Sequence, residues 1–562
     1  MLFRPHRRFL KCGTAVLTIC MLASPLAYAQ EQLAQEMAQA GPAPAASGAG
    51  AAGATQPSAT AAEQVSGQSG VSGFVGSLIP GFNFAATVNL SESYATNVSG
   101  YSTGGRSDWV TNAGIGLTMN NHSPRVSFDA NYNGSVYVYA GDTQSTQFTN
   151  DLQALGTVIV IPDYVNFNAR AFAQPVVSSN LGIVTAGNQG NNGFRNAYGF
   201  SGGPDITFRL GNFANSITSA TFGAAYFDDP GGYFNPLIPG VRGPQNMTSR
   251  SFSERLVSGT DFTRLTWTAT AMLQESDRPQ GLFSEKAALG HFQFAITREI
   301  SLLGTGGYDH IDNTIPLSRS LSGPVGMGGI GLTLGEDFAL QFEIGQKYND
   351  LSYQGSMRWN IGPTASLIGT ATDSITTPEG QMLDNLAGLT ASANGALTSS
   401  SALYGNGAAA SLSSFSAQGP GALSYNQNIA RYQNVTLTYS QDFARDHAMA
   451  SIYLTKQEIL DTFYIGQRNN NSWGANLNWS HDLTRLMSAN VGGGYTRYQE
   501  LGGHAGLYNV NAGLNYSLSP DTSVFLRGDY LRRDSSTTLQ SLSPFTGSLD
   551  DIRVTLGLSH RL

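Results

Sequence analysis

Hydrophobic and polar residues alternate along most of the chain from about Phe82 onward. In YNVNAGLNYSL (508–518), apolar residues occupy every second position, and asparagine, glycine and serine fill the positions between them. The segment DIRVTLGLSHRL (551–562) alternates in the same way. A period of two is typical of β-strands that have one apolar and one polar face. The pattern therefore predicts an all-β fold.

The predicted strands are suited to crossing a membrane. They run for about ten to fourteen residues, which is long for a soluble β-sandwich and right for a tilted membrane strand. Aromatic residues recur near their ends, where a transmembrane barrel has its interfacial belts. These aromatic residues are Tyr432, Tyr439, Trp479, Tyr495, Tyr508, Tyr516 and Tyr530.

Tight polar turns alternate with longer connections. The short turns are predicted at 120–125, 161–164, 259–264, 335–338, 441–446, 480–485 and 519–522, and the long segments include 177–196, 228–248 and 534–549. Bacterial barrels combine short periplasmic turns with long outer loops. Counting from a periplasmic N-terminus predicts a single large antiparallel transmembrane β-barrel of about 22 strands, within a range of about 18 to 24. The last strand is expected to pair with the first, near residues 82–97, which leaves no free edge.

The chain divides into three predicted regions. Residues 1–29 combine basic residues, an apolar run and an Ala-x-Ala site, which predicts a secretory signal peptide cleaved between Ala29 and Gln30; an uncleaved anchor helix is the alternative. Residues 30–78 are rich in Ala, Gln, Gly and Ser and are predicted to be a disordered periplasmic linker. Residues 79–562 form the predicted outer-membrane barrel.

One stretch, residues 373–430, interrupts the alternation and is predicted to be an insertion on the outer side. Two interpretations stay open: a disordered surface loop, or a segment folded into the pore as a plug or gate. Four apolar residues after Pro378 have the spacing of a short helix. They are Leu383, Leu386, Ala387 and Leu389.

Composition narrows the class of protein. Charged residues make up 12% of the 562 residues and the mean hydropathy is −0.14, so the chain is poor in charge without being strongly apolar. Both cysteines, Cys12 and Cys20, lie in the predicted signal peptide, which excludes disulfides and thiol chemistry from the mature chain. The expected location is the outer membrane of a Gram-negative bacterium, and the expected partners are its lipids and the barrel-assembly machinery.

No motif in the sequence points to catalysis or metal binding. Asn-His-Ser at 121–123 matches the residue types of a hydrolase site, but three consecutive residues cannot converge as a triad does. GAGAAG at 48–53 lacks the strand and helix that a dinucleotide site needs. The histidines of the mature chain form no metal motif: they are His122, His291, His310, His447, His481, His504 and His560. We expect no enzyme activity and no cofactor, and the net charge of −8 gives no support for a nucleic-acid partner.

The polar face of the strands is expected to line the lumen. The charged residues predicted to point inward are Arg170, Arg209, Arg255, Arg358, Arg527, Arg553, Asp129, Glu343 and Asp529. Amides, hydroxyls and scattered arginines can hydrogen-bond sugars and pass an anionic polymer through dispersed contacts. The alternative is that these arginines and carboxylates pair across a water-filled wall and only stabilise it.

Several short motifs resemble outer-membrane β-barrel proteins of exopolysaccharide loci, including a group associated with the PEP-CTERM sorting system. They are VNLSESYATNV (88–98), SDWVTNAGIGL (107–117), SITT (374–377) and the closing hairpins. The resemblance implies that the protein helps a polysaccharide to cross the outer membrane, together with periplasmic export components. No functional residue of the family is carried over.

Three functions compete at this stage. The leading hypothesis is an outer-membrane channel that assists export of an exopolysaccharide. The second is a general or nutrient-uptake porin, and the third is a structural or adhesive surface barrel without transport. Conduction would separate the first two from the third.

Overall fold

The computed structural model describes residues 82–98, 105–178, 194–228, 246–278, 281–314, 320–376, 389–391, 397–399, 423–425, 429–460, 469–500, 503–536 and 548–562. The predicted signal peptide, its cleavage site and the predicted linker lie outside these ranges. Within the described residues, no helix is long and apolar enough to cross a membrane.

The described residues form 25 strands, of which 22 are long and three are short. The long strands before the insertion are β1 Asn83–Ala95, β2 Asp108–His122, β3 Val126–Tyr139, β4 Gln147–Ile161, β5 Val165–Ser178, β6 Phe194–Leu210, β7 Ala214–Phe227, β8 Met247–Ser258, β9 Leu265–Arg278, β10 Gly281–Ala295, β11 Ile300–Asn313, β12 Leu321–Leu334, β13 Phe338–Lys347, β14 Asp350–Ile361 and β15 Ala365–Thr376. The short strands are β16 Leu389–Ala391, β17 Leu397–Ser399 and β18 Leu423–Tyr425. The remaining long strands are β19 Ala430–Asp442, β20 Asp446–Ile459, β21 Asn469–Asp482, β22 Met487–Glu500, β23 Gly503–Ser519, β24 Thr522–Ser535 and β25 Leu549–Arg561.

The 22 long strands close into one antiparallel barrel. Each pairs with its neighbour in sequence, β15 pairs with β19 across the insertion, and β25 pairs with β1. In that closing pair Leu558 lies opposite Leu90. Closure gives the first and last strands hydrogen-bonding partners on both sides. The predicted barrel of about 22 strands, closed by its terminal strands, is confirmed.

The connections differ at the two ends of the barrel. The ten turns at the end that holds both barrel termini contain two to six residues, and the predicted short turns fall among them. The eleven connections at the other end vary from two residues to the long insertion. We refer to these as the periplasmic and extracellular ends, following the asymmetry of bacterial barrels.

The outer face of the barrel is apolar. On β25, Ile552 points outward and is 51% exposed, whereas its neighbour Arg553 points inward and is 6% exposed. Aromatic side chains meet near both ends of the outer face. Phe213, Phe262 and Trp267 contact one another at the periplasmic end, with ring centroids 5.4 to 5.7 Å apart. This face matches the lipid-facing band of an outer-membrane protein.

One predicted belt residue, Tyr432, was assigned to the wrong face. Tyr432 pairs with Gln457 across β19 and β20, and the Gln457 amide donates a 3.0 Å hydrogen bond to its hydroxyl inside the barrel. Position near a strand end predicted a belt residue, but the register of β19 turns this side chain inward. The register turns the other six aromatic residues of that prediction outward.

The insertion is shorter than predicted. Strand β15 continues to Thr376 and β19 begins at Ala430, so residues 373–376 belong to the wall. Leu389, which was predicted to be helical, lies in β16 and pairs with Ser399 of β17. Residues 377–388, which hold the rest of the predicted helix, lie outside the described residues.

Candidate functional site

The register of the strands places all nine predicted lumen residues on the inward face. Residues directly opposite each other in an antiparallel pair share a face of the sheet, so each assignment follows from the pairing. The inward residues are Asp129, Arg170, Arg209, Arg255, Glu343, Arg358, Arg527, Asp529 and Arg553.

These nine residues do not converge on one site. Arg527 donates from Nε to Asp529 at 2.7 Å on the same strand. Glu343 accepts a hydrogen bond from the Thr305 hydroxyl at 3.0 Å in another part of the wall. Arg209 and Arg358 lie near the periplasmic end, where both are exposed. The lumen therefore carries dispersed charge. Among the described residues, no three His, Cys, Asp or Glu side chains are grouped to hold a metal ion.

On β1, β20 and β23, the inward side chains become more accessible toward the periplasmic end. On β23, Leu507, Asn509 and Asn511 are buried, whereas Asn515 and Ser517, which lie closer to the periplasm, are half-buried. Strands β1 and β20 show the same gradient. On these three strands the extracellular half of the lumen wall is therefore covered and the periplasmic half is more open. Strand β11 differs, because its inward residues Ser301 and Leu303 are buried near the periplasmic end as well.

The extracellular ends of β15, β19 and β20 fold into the lumen. Pairing between β14 and β15 stops at Gly355–Ala371, although both strands continue toward the extracellular end. Above that point the register turns Asp373 and Arg431 to the outer face, yet each side chain is only 3% exposed. They are covered by the tip of the β13–β14 hairpin and by the inward face of the neighbouring strands. This part of the wall therefore lies inside the ring formed by β10 to β14.

Polar contacts hold the folded wall in place. Arg431 binds the Asp373 carboxylate with two donors, Nε at 2.8 Å and Nη2 at 2.6 Å. Its Nη1 reaches Asp350 on the β13–β14 hairpin at 3.3 Å. Gln433 donates from Nε2 to the backbone carbonyl of Leu351 at 2.7 Å. The bidentate pair is strong and directional; it joins β19 to β15 and orients the Arg431 guanidinium. The contacts with Asp350 and Leu351 then hold these two strands against the hairpin.

A second set of contacts fixes the hairpin tip to β11. Lys347 Nζ lies 3.1 Å from Asp309 Oδ2, and the Tyr348 hydroxyl donates to the same oxygen at 2.5 Å. Burial raises the pKa of the Tyr348 phenol, so the hydroxyl stays protonated and able to donate. The Arg431 guanidinium lies 5.7 Å from the centre of the Tyr348 ring and joins the two sets. We call these six residues the mouth clamp: Asp309, Lys347, Tyr348, Asp350, Asp373 and Arg431.

An apolar cluster lies beside the mouth clamp. Phe283 and Ile311 come from the inward face of β10 and β11, and Ile429 and Leu460 come from the folded part of the wall. Tyr348 is a member of both the cluster and the clamp. It has φ of 55° and the next residue, Asn349, has φ of 64°, as in the two-residue turns that suit twisted hairpins. A tyrosine rarely adopts this conformation, and here its packing compensates for the strain.

Strand β18 narrows the extracellular mouth. It pairs in parallel with residues 176–178 at the extracellular end of β5, ten strands from β15 around the ring. From Tyr425 to Ala430 the chain spans at most about 18 Å. Strand β18 lies one strand spacing, about 5 Å, from its partner β5. The extracellular ends of β5 and β19 therefore lie within about 23 Å of each other. A round barrel of this size is about 45 Å across, so the mouth is roughly half that width at this point.

The sequence did not reveal the mouth clamp. Asp373 is the first residue of the predicted insertion and Arg431 directly follows its last residue. The positions of both relative to the rest of the wall depend on the shape of the whole sheet. The signal that was available is the segment Lys347-Tyr348-Asn349-Asp350, which reads as a two-residue hairpin turn flanked by opposite charges.

The closed barrel, its apolar outer band and its polar lumen define the class: the chain is an outer-membrane β-barrel protein of the Gram-negative type. No family model matches the chain, and no curated protein matches it.

Solved structures with a similar architecture exist. The FrpB iron transporter from Neisseria meningitidis, in its apoprotein form, is 11% identical with a TM-score of 0.47, and the match covers 85% of this chain and 81% of that chain. The siderophore receptor PirA from Acinetobacter baumannii is 10% identical with a TM-score of 0.45, covering 85% and 80%. No substrate is carried over at this level of similarity.

Proposed function

We propose that the protein is a gated outer-membrane channel for polar solutes, of the general or nutrient-uptake class. The observation that carries the proposal is the contrast between the polar wall of the lumen and its narrowed extracellular mouth. Polar side chains line the wall, and the extracellular mouth is narrowed and held by the mouth clamp. A barrel that served only as an anchor would need no polar clamp between two parts of its wall.

The charge distribution of the lumen does not favour ions of one sign, and it therefore suits polar solutes in general. Arginines and carboxylates alternate on the wall, as in Arg527 and Asp529, so neither sign dominates. Amides and hydroxyls occupy most of the positions between them. Such a lumen passes small polar molecules and discriminates mainly by size.

Export of an exopolysaccharide is the second candidate. It is favoured by the resemblance at 88–98 and 107–117, which covers the upper part of β1 and most of β2, beside the closing pair of strands. Periplasmic export components would be its partners, because no energy-coupling motif is found in the sequence. Deletion of the gene separates the candidates: export predicts loss of extracellular polysaccharide, and uptake predicts slower growth on a scarce polar nutrient.

Liposome swelling tests the channel itself. Native protein and Arg431→Gln are reconstituted into liposomes and transferred to solutions of arabinose, sucrose and raffinose. We expect slow swelling with the native protein and faster, size-dependent swelling with Arg431→Gln, because the variant removes the cation at the centre of the mouth clamp. Swelling no faster than that of empty liposomes for both proteins would contradict a channel and favour the structural or adhesive barrel.

A further inference from the structure

Asparagine and glycine residues form repeated rows on the lumen wall of β21, β22 and β23. One row runs Asn476, Gly494 and Asn509 across the three strands. The next lumen-facing row, which lies closer to the periplasm, consists of Asn478, Gly492 and Asn511. In each row a glycine lies between two amides. We call the six asparagines of this wall, Asn476, Asn478, Asn490, Asn509, Asn511 and Asn515, the amide groove.

The glycines are needed for the amides to approach each other. A Cβ atom at Gly492 would lie 2.5 Å from Asn478 Oδ1 and 2.9 Å from Asn511 Nδ2. A Cβ atom at Gly513 would lie 2.6 Å from Asn490 Oδ1. Any larger residue would displace the amides, so the glycines leave the room in which the amide groups of neighbouring strands lie side by side on the lumen wall.

Several amide atoms of the groove have no hydrogen-bond partner in the protein. They are Oδ1 of Asn476, Asn509 and Asn515, and Nδ2 of Asn511. Asn509 and Asn511 are only 4% and 6% exposed. Leaving a buried polar atom unpaired costs about 1–3 kcal/mol, so native structures seldom keep several of them side by side. The groove therefore has hydrogen-bonding capacity that the chain itself does not use.

The chemistry of the groove selects the ligand class. Every amide offers both donors and an acceptor, whichever way its oxygen and nitrogen are oriented. Sulfate only accepts hydrogen bonds, phosphate is mainly an acceptor and carries negative charge, and metal cations bind only acceptors, whereas hydroxyl groups are neutral and both donate and accept. The inward positions of these three strands from Ser472 to Ser480, Ser488 to Thr496 and Ala505 to Ser517 carry no charged residue. On β24, Arg527 and Asp529 lie opposite Gly513 and Asn511, and they pair with each other at 2.7 Å, so this pair adds no net charge at the border of the groove. The groove thus suits a neutral ligand that is rich in hydroxyls.

An aromatic residue borders the groove at its periplasmic end, with its ring directed toward β25. Phe525 of β24 lies opposite Asn515 and is half-buried on the inward face. Its ring covers Gly557 of β25, where even a Cβ atom would collide with it. Sugars present hydroxyls at their edges and C–H groups on their faces, so a ring beside amides matches both surfaces. From Asn509 to Asn515 the groove extends about 20 Å along the strand, which suits a chain of several sugar rings.

We propose that the amide groove is a binding site for a neutral saccharide chain. This inference rests on the proposed channel function, because it makes the groove the surface along which such a ligand moves. It is independent of direction and applies equally to uptake and to export.

Equilibrium binding to the detergent-refolded full chain tests the proposal. The probes are fluorescently labelled maltohexaose, cellohexaose and isomaltohexaose, and the readout is fluorescence anisotropy. We expect saturable binding of at least one probe and a Kd at least tenfold higher for Asn490→Leu/Asn511→Leu. The matched control is Asn131→Leu, an inward-facing amide on β3 outside the groove, for which we expect a Kd within twofold of native.

Folding of the double variant is checked by its heat-modifiable migration in gels. The single variant Asn490→Leu is the second test, because Asn490 is already exposed to the lumen and its replacement leaves no buried group unpaired. We expect its Kd to rise at least threefold.

Three results would overturn the saccharide site: no saturable binding of any probe, equal binding by native protein and both groove variants, or displacement of the probe by inorganic polyphosphate. Potassium chloride conductance is measured on the same preparations. Conductance is also measured on Arg431→Gln, in which the mouth clamp is broken. Conductance of Arg431→Gln without saccharide binding by any preparation refutes the groove and leaves the channel, whereas saccharide binding without conductance of Arg431→Gln refutes the channel and leaves the groove.

Discussion

The two halves of the barrel obey the same alternation and yet use it differently. In the periplasmic half, outward residues such as Leu514 and Leu556 meet lipid and inward residues such as Arg358 meet the lumen. In the extracellular half, Asp373 and Arg431 also face outward by register, but they are buried against a neighbouring part of the wall. Alternation therefore sets the face of the sheet, and the shape of the sheet sets what that face contacts.

The difference in burial between the two halves also governs the strength of their charged contacts. Arg358 is exposed and donates at 3.3 Å to Asn360, so water screens it. Arg431 is buried and contacts two carboxylates, so removing it would leave Asp373 buried without its counter-charge. Breaking a buried pair in this way costs about 3–5 kcal/mol, far more than the loss of an exposed contact.

Cysteine labelling compares the two halves directly. Ser352 is 2% exposed in the extracellular half, and Asn490 is exposed in the periplasmic half. In a chain with Cys12 and Cys20 replaced by serine, we expect Asn490→Cys to react with a small charged thiol reagent about a hundredfold faster than Ser352→Cys, because the buried site reacts only during local opening. Similar rates at the two positions would contradict the difference between the halves.

Removing the Arg431 cation should reduce the difference in labelling rate between the two halves. Added to Ser352→Cys, the substitution Arg431→Gln is expected to raise the labelling rate about tenfold, because the folded wall loses its main polar contact. Arg358→Gln is the matched control in the periplasmic half and should leave the rate unchanged. A tenfold increase with both substitutions would indicate general loosening of the barrel.

Tyr348 tests the apolar part of the extracellular half. Tyr348→Ala removes a ring shared by the apolar cluster and the mouth clamp, and we expect the free energy of unfolding in urea to fall by about 3 kcal/mol. Tyr348→Phe keeps the ring and removes only the hydrogen bond to Asp309, so a loss of about 1 kcal/mol is expected. Equal losses for the two variants would show that packing of the ring contributes little.

The smallest effect is expected at the next residue of the same turn. Asn349 also has a positive φ, a conformation that both asparagine and glycine tolerate. Asn349→Gly should therefore change the free energy of unfolding by less than about 0.5 kcal/mol. A loss as large as that of Tyr348→Ala would mean that the backbone of the turn, and not the ring of Tyr348, stabilises the hairpin tip.

Much of the fold could be predicted from the sequence, because alternation and turn length are local properties. The outward set Ile552, Val554, Leu556 and Leu558 follows from the period alone. So does closure, since an alternating strand at the end of a barrel needs a partner. The inward faces of Arg527 and Asp529 follow from the same period.

The inward bend of the wall in the extracellular half was not predicted, and the reason is physical. Asp373 and Arg431 are 58 positions apart, and no local pattern states that the wall bends inward between them. Tyr432 was assigned to the belt because it lies near a strand end, although the register turns it inward. Such features depend on contacts between distant strands, which residue spacing does not encode.

Single-channel recording in planar bilayers tests the central claim most directly. The claim is that the barrel is a channel whose extracellular mouth is held closed by Arg431 and its carboxylate partners. We predict that the native protein is silent or conducts weakly, that Arg431→Gln conducts at least several-fold more, and that Arg358→Gln behaves as native. Equal, high conductance of all three proteins would contradict the closed mouth, and the absence of conductance from all three correctly folded proteins would contradict the channel.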